Sequence, residues 1–518
     1  MTLARLRDEP CFRVTIDGSR VETSGPPRFH RGHTIAVGDG TLDGAFGEWS
    51  WNGRRLTIRT DRYGAAPLFY AQDGNTFLVS PSIVKLVEAG APTDFDEPGL
   101  ALFLRLGFFV GDDTPFRAIR AMPPNGTVVW DAGRVSVSGG YRTVAAQRVT
   151  RGAAIDGFVE LFRRALARRP PTQGDAIVPL SAGRDSRHIL IELCRTGRKP
   201  RHAVTLPHYP PRAAEDERLA PVMARELGVS HVLLPQTESS FVPEVRKNWE
   251  THLCADEHAW FIGLVDYLER HAGTVYDGLG GGLSVSNRFY GCDATRLMGE
   301  GRCRELAARL LQTLSRSGER FLQHIVQQPM RAALSFDRAV DRLADELARH
   351  RDAADPMKSF NFWNRIRREL ALTPYALMRR IPMVYSPYLD YELFDFLMSL
   401  PPDVTTPTLS PGDKSFHSAA ITRGYPAMAH VPFEDSRAPT RDCRRYNACL
   451  VGDAGGHLVR HGTSPTRLLN KAYVLPRLVC GIVNRAYREA IGWLPNVALY
   501  LFQVDALAER RHAEIDVR

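Results

Sequence analysis

Leu180-Ser181-Ala182-Gly183-Arg184-Asp185-Ser186 follows a short apolar run, Ala176-Ile177-Val178-Pro179, and leads into a helical pattern from Asp185 to about Arg195 that Gly197 closes. A strand, a tight loop of small residues and a helix, in that order, open a parallel α/β unit. Such sheets present ligands outside the carboxyl ends of their strands. Small residues at 181 to 183 let the backbone come close to an anion, and the helix start supplies free N–H groups and the positive end of a dipole. Ser181 and Ser186 add hydroxyl donors. Asp185 would repel a phosphate unless it holds a magnesium ion that neutralises the charge. Read alone, these residues also fit a capped strand–helix turn with no ligand.

The alternation continues downstream. A strand is expected at His202–Leu206, a helix at Ala213–Leu227 stopped by Gly228, and strands at His231–Leu234 and Thr274–Tyr276. Upstream, Ala153–Arg168 has helical periodicity, with Ile155, Phe158, Leu161, Phe162 and Leu166 on one side. From about Glu305 onward the chain reads mostly helical. The first 147 residues look different. Asn52-Gly53 separates two strand-like runs and suits a type I′ hairpin turn, in which both central residues take positive φ. Asp73-Gly74 and Asp131-Ala132-Gly133 mark two more hairpins, and Glu97 to Leu106 a short helix. Short strands with regular turns predict layered sheets.

With 518 residues the chain is too long for one core. Three parts are expected: 1–147, a layered β-rich domain; 148–435, a Rossmann-like parallel α/β domain; and 436–518, a basic helical extension packed on the second. No run of about 18 apolar residues is present, so no membrane span is expected. The charged N-terminus does not read as a signal peptide. Eight cysteines, at positions 11, 194, 254, 292, 303, 443, 449 and 480, show neither CxxC nor zinc-ligand spacing. They read as reduced thiols, and the expected location is cytoplasmic. Of the net charge of +9, +6 lies beyond residue 435, scattered among apolar residues. That pattern speaks against nucleic acid and for a solvated helical surface or an acidic protein partner.

The loop at 181–186 resembles the S-G-G-x-D-S pyrophosphate loop of ATP pyrophosphatases, with Ala182 in place of a glycine. Asp61-Arg62-Tyr63-Gly64-Ala65-Ala66-Pro67-Leu68-Phe69-Tyr70 resembles the D-R-x-G-x-x-P-L-Y-Y segment of asparagine synthetase amidotransferase domains. Pro115 to Arg120, Pro123-Pro124 and Val128-Val129-Trp130 are similar to the end of that domain. Ser386-Pro387-Tyr388-Leu389-Asp390 through Leu400-Pro401-Pro402 is similar to the V-P-F-L-D…L-P segment. Four matches in order resemble the family of asparagine synthetase, β-lactam synthetase and the lasso-peptide cyclases.

That resemblance implies an Ntn-hydrolase-like first domain and a PP-loop (adenine nucleotide α-hydrolase) second domain. It implies an ATP-dependent, AMP-forming synthetase with ATP and Mg2+ as cofactors. A carboxylate of a small molecule or peptide attacks the α-phosphate, and an amine then displaces AMP. Ser181, Ala182, Gly183, Arg184, Asp185 and Ser186 would hold phosphates, with Asp185 on the metal. Val204, Thr205 and Leu206 lie where the family binds adenine, and Gly278 where backbone nears the nucleotide. Lys414 takes the place of the family's essential lysine, which stabilises charge at the α-phosphate and the tetrahedral intermediate. Arg184 and Arg187 suit a phosphate or substrate carboxylate, or a helix surface.

Two departures shape the expectation. Thr2 follows Met1 where the family exposes a cysteine nucleophile, so the first domain is expected to lack glutaminase activity. In the segment matching S-G-E-G-A-D-E, Asp277-Gly278-Leu279-Gly280-Gly281-Gly282-Leu283, Gly282 replaces the second magnesium-binding aspartate. Asp277 is the candidate substitute ligand. Asp256-Glu257-His258 suits a general base toward the amine, or a solvated helical face. Three functions remain open: an amide ligase of natural-product or peptide modification, with a precursor peptide or biosynthetic protein as partner; an ammonia-dependent asparagine synthetase; and a non-catalytic binding subunit.

Overall fold

A computed structural model describes residues 6–37, 42–171, 176–284, 289, 291–315, 318–406, 413–435, 437–462 and 464–510. Met1, Thr2, Gly412, Ser436 and residues 511–518 lie outside them, as do the side chains of Ser284 and Cys292.

The N-terminal part is two stacked antiparallel sheets. Its strands are β1 (Phe12–Asp17), β2 (Arg20–Ser24), β3 (Arg28–Ala36), β4 (Leu42–Trp51), β5 (Arg55–Thr60), β6 (Phe69–Asp73), β7 (Thr76–Ser80), β8 (Ile119–Ala121), β9 (Thr127–Asp131) and β10 (Arg134–Ser138). One sheet runs β2-β1-β7-β6-β8 and the other β10-β9-β5-β4-β3. Alternating apolar side chains, among them Phe12, Val14 and Val79 from one sheet and Trp49, Ile58 and Trp130 from the other, fill the layer between them. On the opposite face of the first sheet, Phe69 and Leu78 join a core that holds the helix Glu97–Leu106. That helix has the expected bounds. The Asp96 carboxylate caps its start, and Gly107, at φ 87°, ends it.

One hairpin differs from expectation in its turn. Gly53 has positive φ but Asn52 does not; the Asn52 carboxamide instead accepts from the N–H groups of Arg54 and Arg55, which makes a longer turn. The two-residue turn with both φ positive is at Ala132 (48°) and Gly133 (84°), between the paired Asp131 and Arg134.

The second part is built on five parallel strands: β11 (Ala176–Pro179), β12 (His202–Thr205), β13 (His231–Leu233), β14 (Thr274–Tyr276) and β15 (Met383–Tyr385). Their order is β13-β12-β11-β14-β15. The chain moves outward from β11 to β13, then returns to lay β14 on the other side of β11. The loops after β11 and β14 therefore part at the switch point of the sheet, where a crevice forms. Helix Arg151–Ala167 packs on this sheet, with Thr150 accepting from Ala153 N–H at its start. The chain is thus α/β, with antiparallel layers, a parallel sheet and a helical C-terminal part.

Several groups tie the two sheet systems together. Within the antiparallel part, the fully buried Asp61 accepts the N–H groups of Phe46 (3.0 Å) and Tyr63 (2.8 Å) and so holds the loop that carries Arg62 and Tyr63, and burial pushes its pKa up to about 6. Arg62 pairs with Asp395 and lies over the Tyr391 ring. Arg367 donates to the carbonyls of Tyr63, Gly111 and Met122. Asp390 and Asp43 both accept from the buried Arg169. The C-terminal helices, expected on the parallel-sheet part, also reach the antiparallel layers: Tyr500 stacks on Phe103 at 4.3 Å, and Thr93 donates to the Ala508 carbonyl. Among the described residues no helix is long and apolar enough to cross a membrane, and the described cysteines are free thiols.

Candidate functional site

The loop after β11 is held from within. Ser181 N–H donates to Ser186 Oγ (3.1 Å), and Gly183 N–H to Ser181 Oγ (3.2 Å). These bonds curl residues 181–186 around the start of helix Asp185–Arg195, which has no side-chain cap of its own. The Ala182 N–H donates to Asp216 Oδ1 at 2.7 Å, so a carboxylate sits on a loop amide. Burial raises the Asp216 pKa, while that N–H opposes the rise.

Asp185 leaves the loop with its side chain 40% exposed. The glycine run after β14 lies against it. A Cβ at Gly281 would stand 2.3 Å from Asp185 Cγ, and one at Gly278 would stand 2.9 Å from Asp185 Cβ. The glycines expected to admit a nucleotide therefore admit this carboxylate. Gly282 is different: a Cβ there meets only Ile366 Cδ1, at 3.8 Å. Asp277 is turned to its own loop, accepting Leu279 N–H at 2.8 Å. Burial pushes its pKa up to about 6, and Asp185 nearby adds to the rise.

Two cavities meet at the loop. The smaller, roughly 340 Å³, is walled by Leu180, Val204, Leu206, Phe261, Leu264 and Ile366 and floored by Asp277, Gly278 and Gly282. The buried Thr373 hydroxyl lines it and has no hydrogen-bond partner. The larger, roughly 660 Å³, is polar and holds Arg212, Asp256, Glu257, His258, Lys414 and Glu434. Ser181, Gly183, Arg184, Asp185, Asp216, His258, Trp260 and Leu370 border both. Ser186 lines the smaller one. Ala182 is fully buried, and Thr205 spends its hydroxyl on the Leu180 carbonyl (2.7 Å) and His231 (2.8 Å). The carbonyls of Val204 and Thr205 accept from Leu180 and Leu234 N–H, so sheet pairing has already taken them.

Lys414, at the start of helix Ser415–Gly424, pairs with Glu434. Arg184 donates to Glu434 Oε1 (3.1 Å) and to Ser418 Oγ (2.8 Å). Burial opposes the Glu434 charge, but Lys414 and Arg184 hold its carboxyl below the usual range. Arg187 does something else. It is 1% exposed and donates to the carbonyls of Val431 (3.1 Å) and Pro432 (2.8 Å), so it anchors a loop and faces neither cavity. Burial brings its pKa down to about 10.

Asp256-Glu257-His258 is neither helical nor fully solvated. All three are half-buried, and His258 takes φ 81°. Glu257 pairs with Arg365 at 3.0 Å. Burial drives the His258 pKa down to about 4, which leaves a neutral imidazole. Sequence reasoning missed Asp216, Glu434, Arg212 and His417. They come from other segments, and no local spacing marks them.

Residues 39–141, which contain β4 to β10, match the family model of a glutamine amidotransferase domain. No curated protein matches the chain. Two solved structures align with it: the allosteric regulatory enzyme of purine biosynthesis, and the glutamine phosphoribosylpyrophosphate amidotransferase of B. subtilis complexed with ADP and GMP. Each is 11% identical over 45% of this chain and 76% of its own, with a TM-score of 0.18. Likenesses at that score say nothing about the fold of this chain. Its N-terminal layers thus contain a glutamine-amidotransferase-like segment.

Proposed function

We propose that this chain is an ATP-dependent, AMP-forming amide synthetase acting on a small-molecule or peptide carboxylate and an amine, with no glutaminase step of its own. The observation that carries the reading is convergence: the 181–186 loop, Asp185 and Lys414 border cavities at the switch point of a parallel sheet. Two features fit Mg2+ and ATP. The glycine cradle that a Cβ would fill leaves Asp185 room to hold a cation. The apolar chamber, with the orphaned Thr373 hydroxyl, suits a flat base with one polar edge.

When bound, Mg2+-ATP supplies the electrophilic phosphorus and a pyrophosphate leaving group. The chain's residues do the rest. Loop N–H groups and the helix start bind phosphate oxygens. Lys414 places a cation where negative charge grows. The enclosed walls orient the carboxylate and keep water from the activated acyl group. A base toward the amine would come from Asp256, Glu257 and His258, which line the polar chamber. The lasso-cyclase-like or β-lactam-synthetase-like role in natural-product biosynthesis is the version this reading favours, because the large polar chamber accepts more than a small amino acid. A second reading, a non-catalytic binding subunit, draws on Glu434, which already occupies Lys414 and Arg184. Pyrophosphate release and AMP formation from ATP with candidate carboxylates separate the two; absence of both across a broad panel sinks the synthetase reading.

A further inference from the structure

Behind the Asp185 carboxylate stands a buried pair of histidines that the reaction outlined above does not use. His417, on helix Ser415–Gly424, has no exposed surface, and its Nδ1 lies 3.2 Å from Asp185 Oδ1. Its Nε2 lies 3.2 Å from Nδ1 of His188, on helix Asp185–Arg195. His188 is also fully buried, and its Nε2 meets no hydrogen-bond partner. Phe162 stacks on the His188 ring at 3.8 Å, Phe158 stands edge-on to His417 at 5.2 Å, and Tyr425 closes the box.

The protons of this pair follow from their partners. Burial, and then the neighbouring His417, drives the His188 pKa well down, so its ring is neutral and carries one N–H. The Asp185 carboxylate only accepts, so the facing Nδ1 of His417 carries that ring's N–H and leaves its Nε2 as an acceptor for the His188 N–H. The His188 N–H is therefore on Nδ1. One line of hydrogen bonds results, from His188 through His417 to Asp185.

We infer that His417, its tautomer supported by the His188 N–H, is a positioning residue that holds one oxygen of Asp185 and so presents the rest of the carboxylate to the cavity in a single orientation. The inference rests on the reading of Asp185 as the carboxylate that holds Mg2+. Gly281 limits Asp185 on one side, His417 fixes it on another, and the exposed remainder faces the cavities. A carboxylate ordered in advance binds a cation without first losing rotational freedom. Partners of this kind typically change metal affinity by roughly 10–100-fold.

The test is Mn2+ binding, followed by paramagnetic resonance, in the full chain saturated with a non-hydrolysable ATP analogue. His417→Leu is expected to weaken Mn2+ binding by roughly 10-fold. His417→Asn, whose amide N–H stands in for Nδ1–H, is expected to recover most of that loss. His188→Phe keeps the aromatic box but frees the tautomer, and is expected to fall between. Wild-type affinity in His417→Leu overturns the inference. So does equal loss in the Leu and Asn variants, because packing alone would produce it. Should His417→Leu fail to fold, wild-type affinity in His188→Phe overturns the tautomer assignment. Asp185→Ala tests the underlying reading separately. Unchanged affinity there refutes the metal role itself. Loss there, with none in His417→Leu, refutes only the positioning.

Discussion

At Gly281 one methyl group would meet the Asp185 carboxyl carbon at 2.3 Å, whereas at Gly282 it would make an ordinary contact with Ile366. Neither glycine has positive φ, so both alanines suit the backbone. Gly281→Ala is therefore expected to cut Mg2+-dependent AMP formation by at least roughly 100-fold, since small displacements at a reacting centre cost about that much. Gly282→Ala should stay near wild type. Equal rates in the two variants would show that the glycine cradle does not matter. Asp185→Ala should abolish adenylation while the fold survives, checked by circular dichroism beside pyrophosphate release. Ser181 and Asp185, expected at a ligand site because a strand–loop–helix turn is local, and Lys414, expected there through the resemblance, all line the larger cavity. Arg187 was misread, because nothing at i±4 reveals the Val431 and Pro432 carbonyls that claim it. Asp216, Glu434 and His417 were invisible because only the fold brings them to the loop.

The segment 431–434 behaves as one element. Arg184 and Arg187 both lie over the Phe433 ring, at 4.7 and 4.6 Å, and fix Glu434 against Lys414. An anion that needs Lys414 must displace that carboxylate. Glu434→Gln is expected to tighten ATP binding several-fold, measured by titration calorimetry; weaker binding would mean that Glu434 supports the site instead of masking it. Among the strands, β11, β12, β13 and β14 could be read because apolar runs alternate with helices and glycine stops. β15 could not: Met383-Val384-Tyr385 is three residues long, lies in a mostly helical stretch, and is a strand only because β14 offers it an edge. The Ala132-Gly133 turn was readable, whereas the Asn52-Gly53 turn misled because a side-chain acceptor replaced the second positive φ.

For the molecule as a whole, the two sheet systems depend on buried polar staples. Arg367→Met would leave the carbonyls of Tyr63, Gly111 and Met122 without this donor, and should lower stability by about 3 kcal/mol in chemical denaturation. An unchanged midpoint would show that the staple is dispensable. Acid should also weaken the fold. Burial pushes His33, His208, His252, His258 and His457 down to about 4, 3, 3, 4 and 4. Below pH 6.5 the unfolded chain protonates these groups and the folded one does not, so stability falls as pH drops through 6.5 toward 4. Asp61, Asp277 and Asp505, raised to about 6, act in the opposite direction with smaller shifts. The thermal midpoint should therefore drop between pH 7.5 and 5; a rise would mean that the carboxyls dominate. The layered and parallel architecture was legible because period and turn chemistry are local, while the reach of the C-terminal helices to Phe103 and Thr93 was not, because it is long-range packing. The most direct measurement is Mg2+-dependent exchange of labelled pyrophosphate into ATP, with a panel of small and peptide carboxylates, for the wild type and Asp185→Ala. Exchange is expected with at least one carboxylate, with AMP as the nucleotide product once an amine is added, and neither in Asp185→Ala; no exchange and no AMP across the panel, or equal exchange in the variant, would contradict the synthetase function.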